Sequence, residues 1–433
     1  MPIEITIEKL IYGGDGLARH EGKSVFVPFT IPGERVSAKI IEDRRSFARA
    51  EVFKVLEPAS DRVPAPCPYF GSCGGCHYQH MSYEAQLRHK GEILVETLKR
   101  SAGVVLEAPL QVIASPEPFG YRNRTRLHVQ HAPQFRLGYY RSGSHQLLAI
   151  TQCPISSPLL NRAIRALWNA GDAGVVPAAV NEVEIFAEEQ DAECLLELYV
   201  GGRRPTDDEL ARFAATIEQE LPECVGIQVF AQATTARGSV PVLQLVASAG
   251  EASLDYQVNS LTYRISAGGF FQINRYLLDE FVGLVTHGAR GRRALDLYAG
   301  AGLFSVPLVR SFEEVIAVEP SPFSFADLEV NMPDGKRYAQ TTESFLQHRG
   351  EARDCDLAVI DPPRAGLGEK TAQLLALAAP REIRYVSCDP ATLARDLRVL
   401  LESGYRIEEA HLVDMFPQTL HLESFVRLSR RQR

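Results

Sequence analysis

Along residues 1–58 apolar and polar positions alternate in short runs, at 3–7, 24–29, 35–42 and 47–55. The runs are broken by Gly13-Gly14-Asp15-Gly16 and Ile31-Pro32-Gly33-Glu34. A period of two marks half-buried strands, and the Gly/Pro breaks mark turns. About five short strands in so little chain predict a small barrel of OB type. A Pro-rich stretch at 58–68 leads into a helical pattern over 83–102. From about 110 to 265, strand patterns (124–129, 195–199, 225–230, 242–246) mix with helical ones (159–170, 206–221). From 291 onward apolar strands at 294–298, 315–319, 356–361 and 383–388 alternate with helical segments, as in a doubly wound α/β domain. The expected fold class is α/β. Three domains are expected: a barrel (1–58), a central α+β domain (59–265) and a Rossmann-like domain (266–433).

Composition changes this picture little. The chain has 433 residues, 45% hydrophobic and 23% charged, which is ordinary for a folded globular protein. No apolar run is long enough to span a bilayer, and the N-terminal residues do not form a secretory signal, so a cytoplasmic protein is expected. A net charge of −8 argues weakly against nucleic-acid binding, but the relevant scale is local. Residues 118–171 hold seven arginines (122, 124, 126, 136, 141, 162, 165) and no acid, whereas acids crowd into 182–197. That segregation predicts one basic face on an acidic protein. The barrel balances nine basic against nine acidic residues, with Arg44-Arg45-Ser46-Phe47-Ala48-Arg49 as its best candidate contact to nucleic acid.

Three segments at predicted strand ends carry candidate chemistry. Asp296-Leu297-Tyr298-Ala299-Gly300-Ala301-Gly302 places glycines where backbone approaches a ligand at the switch point of such a sheet. Position 305 is Ser, so the dinucleotide G-x-G-x-x-G pattern is incomplete. S-adenosylmethionine, which has no phosphate, needs that third glycine less than a pyrophosphate does. Glu319 ends the next strand, where an acid can accept both ribose hydroxyls. Asp361-Pro362-Pro363-Arg364 follows the apolar run 357–360. Amino-group methyltransferases place an aromatic residue after the two prolines, so Arg364 disfavours N-methylation.

Cys388 sits where strand 383–387 runs into a helix, and Glu423 ends a later strand. A helix N-terminus favours a thiolate. A thiol nucleophile, a carboxylate base and a bound methyl donor are the parts needed to methylate a pyrimidine at C5, because C5 becomes nucleophilic only after addition at C6. The plain alternatives are a core cysteine and a solvated glutamate.

Asp361-Pro-Pro-Arg-Ala-Gly366, Tyr385-Val-Ser-Cys388-Asp-Pro-Ala-Thr392 and Asp414-Met-Phe-Pro-Gln-Thr-Leu-His421-Leu-Glu423 together resemble the signatures of RNA (uracil-5-)-methyltransferases. The resemblance extends over the whole chain. Residues 1–58 resemble a TRAM domain, and Phe270-Phe271-Gln272-Ile273-Asn274 resembles the family's entry into the catalytic domain. It implies that Cys388 adds to uracil C6, that Glu423 takes the C5 proton, and that Gln272, Tyr298, Glu319 and Asp361 hold S-adenosylmethionine. Two positions depart from the pattern. Asp389 stands where relatives often have Asn, so its charge must be screened, turned away or engaged at the helix cap. Leu303 also stands where relatives often have Asn.

Cys67, Cys73 and Cys76, with Gly74 and Gly75 between the last two, form a metal-ligand constellation. Cys153, followed by Pro154, matches the position of the family's last ligand. The reading is a [4Fe–4S] cluster; zinc is the competitor, with His77 and His80 as substitute ligands. The remaining Cys194, Cys224 and Cys355 read as core residues. The resemblance implies methylation of a uridine in 23S rRNA by a monomer, with tRNA as the second substrate class. From other classes, the alternatives are a catalytically silent RNA-binding or ribosome-assembly factor and an iron–sulfur redox enzyme.

Overall fold

The computed structural model describes residues 2–233, 242–348 and 350–430. Strands Ile3–Leu10, Gly16–His20, Lys23–Val27, Arg35–Asp43 and Phe47–Glu57 close into a barrel in the order first, second, third, fifth, fourth. The alternation sorts the side chains. Ile5, Ile7, Val25, Val27, Val36, Ala38, Ala48 and Ala50 fill the interior, while Glu4, Thr6 and Glu8 face outward. The buried carboxylate of Glu34 accepts from Ile31 N (2.9 Å) and from Arg62 Nη2 (2.8 Å), fastening the Pro-rich stretch to the barrel.

The middle of the chain builds a seven-stranded sheet in the order Val242–Gly250, Cys224–Ala233, Cys194–Val200, Val180–Ala187, Arg124–Gln130, Arg136–Tyr140, Leu147–Ala149. Helices Pro158–Asp172 and Asp207–Glu220 bury their apolar stripes on one face. Ser157 caps the first, and Thr206 with Glu209 forms a capping box on the second. The opposite face sends Phe186, Leu195, Tyr199 and Phe230 into a core shared with the C-terminal body.

The expected basic face is reduced by pairing across the sheet. Strands Arg124–Gln130 and Val180–Ala187 are antiparallel neighbours, with Arg126 opposite Glu184 and Arg124 opposite Phe186. Arg126 Nε binds Glu184 at 2.6 Å, its guanidinium lies 3.8 Å from the Tyr199 ring centroid, and Arg124 lies 4.2 Å from that of Phe186. Charges separated along the sequence therefore neutralise one another across the sheet. Arg162 pairs with Glu223, and Arg136, Arg141 and Arg165 stay exposed.

The C-terminal body is an eight-stranded sheet in the order Lys336–Tyr338, Phe312–Val318, Gly291–Leu297, Leu357–Ile360, Glu382–Ser387, Glu423–Arg430, Tyr405–Val413, Gln111–Ile113. The first five strands are parallel, and Glu423–Arg430 runs antiparallel between Glu382–Ser387 and Tyr405–Val413. Both faces are covered. Leu295, Leu297, Ile316, Val318 and Ile360 serve one core; Ala294, Val315, Ala317 and Val359 serve the other. This is why these strands read as unbroken apolar runs. Helix Tyr83–Ala102, capped by Ser82 and ended by Gly103 in the left-handed region, packs on helix Pro390–Glu402. No helix among the described residues is long and apolar enough to cross a membrane.

Candidate active site

The strand order reverses beside Gly291–Leu297, and the crevice at its carboxyl end is where open α/β sheets bind ligands. Tyr298, Gly300 and Gly302 there take φ of 71°, 56° and 93°. Gly302 is required twice over: its φ is left-handed, and a Cβ would sit 3.0 Å from Leu328 Cδ1. The Glu319 carboxylate accepts from Gly300 N (2.9 Å) and Ser321 N (2.6 Å) at the end of the adjacent strand. Burial raises its pKa against those two amides. Ser305, where a dinucleotide fold has its third glycine, instead donates to the buried Asp296 carboxylate. Asp296 is pushed up to about 7, first by burial and then by the Glu319 charge. Leu303 is buried, and its carbonyl accepts from Tyr263 Oη at 3.1 Å, so an apolar contact fills this position.

Gln272 reaches the same crevice and donates through Nε2 to Asp361 Oδ2 at 3.2 Å. Its segment is fixed by Asn123, which donates to Gln272 O at 3.0 Å, and by Asn274, which donates to Ser115 Oγ at 3.1 Å. Asp361 is pushed up to about 7 by burial and by the charge of Asp296. The four predicted cofactor residues thus line one end of the sheet, together with Asp296. Asp296 was missed, although it is a lone acid inside an apolar strand.

Cys388 and Glu423 lie side by side. Ser387 and Ser424 are register partners, and Ser424 Oγ donates to Ser387 O at 3.0 Å, so the residue after one and the residue before the other face each other at the sheet's end. Glu423 is buried, and its Oε1 meets no hydrogen-bond partner among the described residues. Burial, then the charge of Asp361, raises its pKa well above the carboxylate range.

The helix after Cys388 is expected to favour the thiolate, yet the thiol is pushed up to about 12 by burial and then by the charges of Glu423 and Asp361, with Arg364 opposing. Asp389 occupies the helix N-terminus. Its Oδ1 accepts from Ala391 N and Thr392 N, each at 2.9 Å, and its Oδ2 accepts from Tyr12 Oη at 2.6 Å. The departure at 389 is therefore engaged as an N-cap.

The loop 414–422 that delivers Glu423 is pinned from outside the sheet. Lys90 Nζ binds Asp414 Oδ1 at 2.6 Å and Phe416 O at 2.9 Å, and both charged groups are 1% exposed. Gln86 and Gln418 exchange two hydrogen bonds of 2.9 Å, and His77 N and Tyr78 N donate to Gln418 O. Arg364 Nη2 lies 3.2 Å from Nδ1 of His421, which is pushed down to about 3 by burial and by Arg364. None of these pins was legible from spacing alone.

Cys67, Cys73, Cys76 and Cys153 line one cavity of about 400 Å³, with Tyr69, Gly74, Gly75 and Tyr139. All four are free thiols, and burial raises the first three. His77 and His80 are not among the lining residues. Among the described residues no three His, Cys, Asp or Glu side chains are gathered tightly enough to hold a metal ion.

A family model described as tRNA (Uracil-5-)-methyltransferase matches residues 82–337 and 346–431, and a TRAM domain model matches residues 2–53. A protein of Aquifex aeolicus (strain VF5) named "Uncharacterized RNA methyltransferase" is 33% identical, over 99% of this chain and 98% of its own. The 23S rRNA (uracil(1939)-C(5))-methyltransferase RlmD of Alkalilimnicola ehrlichii is 32% identical, over 99% of this chain and 97% of its own. The crystal structure of Pyrococcus abyssi tRNA (uracil-54, C5)-methyltransferase with S-adenosyl-L-homocysteine shares the fold, with a TM-score of 0.77 and 24% identity over 99% of this chain and 100% of that one. Matched over most of its length by the family model and end to end by relatives above 30% identity, the chain belongs to the tRNA (Uracil-5-)-methyltransferase family and is an RNA (uracil-5-)-methyltransferase with an N-terminal TRAM domain.

Proposed function

We propose that the chain methylates C5 of one uridine in 23S ribosomal RNA, with S-adenosylmethionine as donor and Cys388 as covalent nucleophile. The observation that carries this reading is the placement of Cys388 and Glu423 at adjoining strand ends, beside a glycine-lined crevice. Gln272, Tyr298, Glu319 and Asp361 would hold S-adenosylmethionine, which supplies an electrophilic methyl group when bound. Cys388 sulfur gives its proton to solvent as it bonds to uracil C6, the C5–C6 double bond opens, and C5 becomes nucleophilic as an enolate. Once C5 carries the methyl, Glu423 takes its remaining proton, the C5–C6 double bond re-forms, and the sulfur leaves. Glu423 is buried with one oxygen unpartnered, so a proton arriving there meets no competing donor. The target base must leave its stack for sulfur to reach it from one face and the methyl from the other. The TRAM domain supports an RNA partner, with the 44–49 loop as its candidate contact.

The full-length relative named for 23S rRNA favours ribosomal RNA. The shared fold with a tRNA enzyme keeps tRNA as the second reading. The four thiols facing one cavity fit a [4Fe–4S] cluster held by Cys67, Cys73, Cys76 and Cys153. A zinc ion held by four thiolates is the competing occupant. The methylation has no redox step, so the cluster's role is structural: it fixes the loops that lead to His77 and Tyr78, which hold Gln418.

The test is incubation with 5-fluorouridine RNA and S-adenosylmethionine. Wild type should form a protein–RNA adduct by mass spectrometry, and Cys388→Ala none. Nucleoside analysis of 23S rRNA and tRNA from a strain lacking the gene then assigns the substrate. Unchanged 5-methyluridine in both would sink the reading and favour a catalytically silent assembly factor.

A further inference from the structure

We propose that Tyr12, in the barrel, is a positioning residue for the nucleophile: through Asp389 it holds the turn that presents Cys388, so that catalysis depends on the docked barrel. This rests on Cys388 being the nucleophile. The turn 11–15 is closed by two backbone hydrogen bonds, Ile11 N to Asp15 O (3.0 Å) and Gly14 N to Ile11 O (3.1 Å), and carries Tyr12 at its tip. Tyr12 Oη donates to Asp389 Oδ2 at 2.6 Å across 377 residues of sequence. The other oxygen of that carboxylate caps helix Pro390–Glu402, which begins two residues beyond Cys388. Asp389 is thus held from two directions at once, and the residue before it is the sulfur nucleophile.

The barrel is seated there, not merely near. Leu10 and Ile31 join the core of the C-terminal body together with Leu420 and Leu422. Gly14, at φ 93°, lies against the same loop, where a Cβ would stand 3.3 Å from Leu420 Cβ and 3.7 Å from His77 Cβ. Charge supports the geometry. An unshared carboxylate next to a thiol opposes its ionisation, and a hydroxyl donated to that carboxylate disperses the charge. The groups facing Cys388 and Asp389 come from four places: Glu423 on its strand, Asp361 and Arg364 on the loop after Leu357–Ile360, Arg395 on the capped helix, and Tyr12 on the barrel. Tyr12 is the one that lies outside the C-terminal body.

The test compares wild type, Tyr12→Phe, Asp389→Asn and the double variant, each as the full chain. Single-turnover methylation is measured with saturating RNA and S-adenosylmethionine, and Cys388 alkylation by iodoacetamide is measured without RNA at a fixed pH of 8. Tyr12→Phe should slow methylation about tenfold, the scale of one hydrogen bond to a charged group, with KM for RNA unchanged. It should also slow alkylation, a readout that simple loss of fold would speed up. Asp389→Asn should speed alkylation, because a negative charge leaves the thiol's side. In the Asp389→Asn background, Tyr12→Phe should have little further effect, since its partner charge is gone. Three results overturn the proposal: Tyr12→Phe raises KM for RNA with the saturated rate intact, it matches wild type throughout, or the two substitutions act independently. Methylation that survives Cys388→Ala would instead remove the nucleophile assignment beneath it.

Discussion

The thiol of Cys388 should be a poor nucleophile in the free protein, and the size of the defect follows from its surroundings. Burial and the neighbouring carboxylates push it up to about 12 from an ordinary value near 9.0. At pH 8 the thiolate fraction then falls about a thousandfold, because each pH unit of separation costs a factor of ten. A more basic thiolate is intrinsically more reactive, which returns a factor of about 20 for a Brønsted slope of 0.4–0.5. The net expectation is alkylation by iodoacetamide about 50-fold slower than that of an ordinary exposed cysteine. The assay is mass-spectrometric counting of the labelled Cys388 peptide against time, from pH 7 to pH 9.5. Slow labelling alone would also follow from steric shielding, so the decisive feature is the slope. The rate should rise tenfold per pH unit with no plateau. A plateau reached by pH 8.5 refutes the reasoning, because the thiolate would then already be formed, and the helix N-terminus would have outweighed burial.

Other consequences are equally direct. Glu423 and Cys388 both hold their protons more tightly than usual and Asp361 is pushed up to about 7, so kcat/KM should climb as pH rises from 6 to 9; a flat or falling profile contradicts the assignment of Glu423 as base. Glu423→Gln should let the sulfur add and the methyl transfer but block release, so a methylated protein–RNA adduct should accumulate in gels run under denaturing conditions. Lys90→Met leaves Asp414 buried without its cation and should cost about 3–5 kcal/mol, seen by hydrogen exchange of loop 414–422, whereas a loss under 1 kcal/mol would mean water replaces the lysine. Gly302→Ala forces an unfavourable φ and a contact with Leu328 of 3.0 Å, and should weaken S-adenosylmethionine binding at least fivefold by calorimetry. Cys153→Ser should abolish visible iron–sulfur absorbance and lower bound iron, while zinc retained at one ion per chain would replace the cluster.

What the sequence disclosed, and what it hid, divides along a physical line. Helix Tyr83–Ala102 was legible to the residue because local chemistry ends it: Ser82 satisfies the first amides, and Gly103 reaches the left-handed region. That Cys388 and Glu423 stand at the end of the sheet was legible, because Cys388 follows the last residue of one apolar strand and Glu423 opens another. The failures all concern partners brought together by pairing between distant segments. Arg124 and Arg126 and the acids of 182–197 lie far apart along the chain, and only the antiparallel register that sets Arg126 opposite Glu184 converts them into neutral pairs. Strand Gln111–Ile113 gave no signal, since three residues cannot show a period, yet it extends the C-terminal sheet beside Tyr405–Val413.

The thiolate expectation failed for a related reason. A helix N-terminus favours an anion only while its amides are free. At this terminus Asp389 takes the amides of Ala391 and Thr392, and the barrel supplies a hydroxyl to the same carboxylate. The charge that the helix could have offered to Cys388 is spent on its neighbour. On the mechanism we propose, activation of the sulfur comes from what enters the site: a pyrimidine whose C6 accepts electrons as the thiol proton passes to solvent. A thiol kept protonated until a base arrives is also shielded from oxidation and from stray alkylation, so on that mechanism the buried, carboxylate-flanked setting of Cys388 would serve selectivity for the flipped uridine.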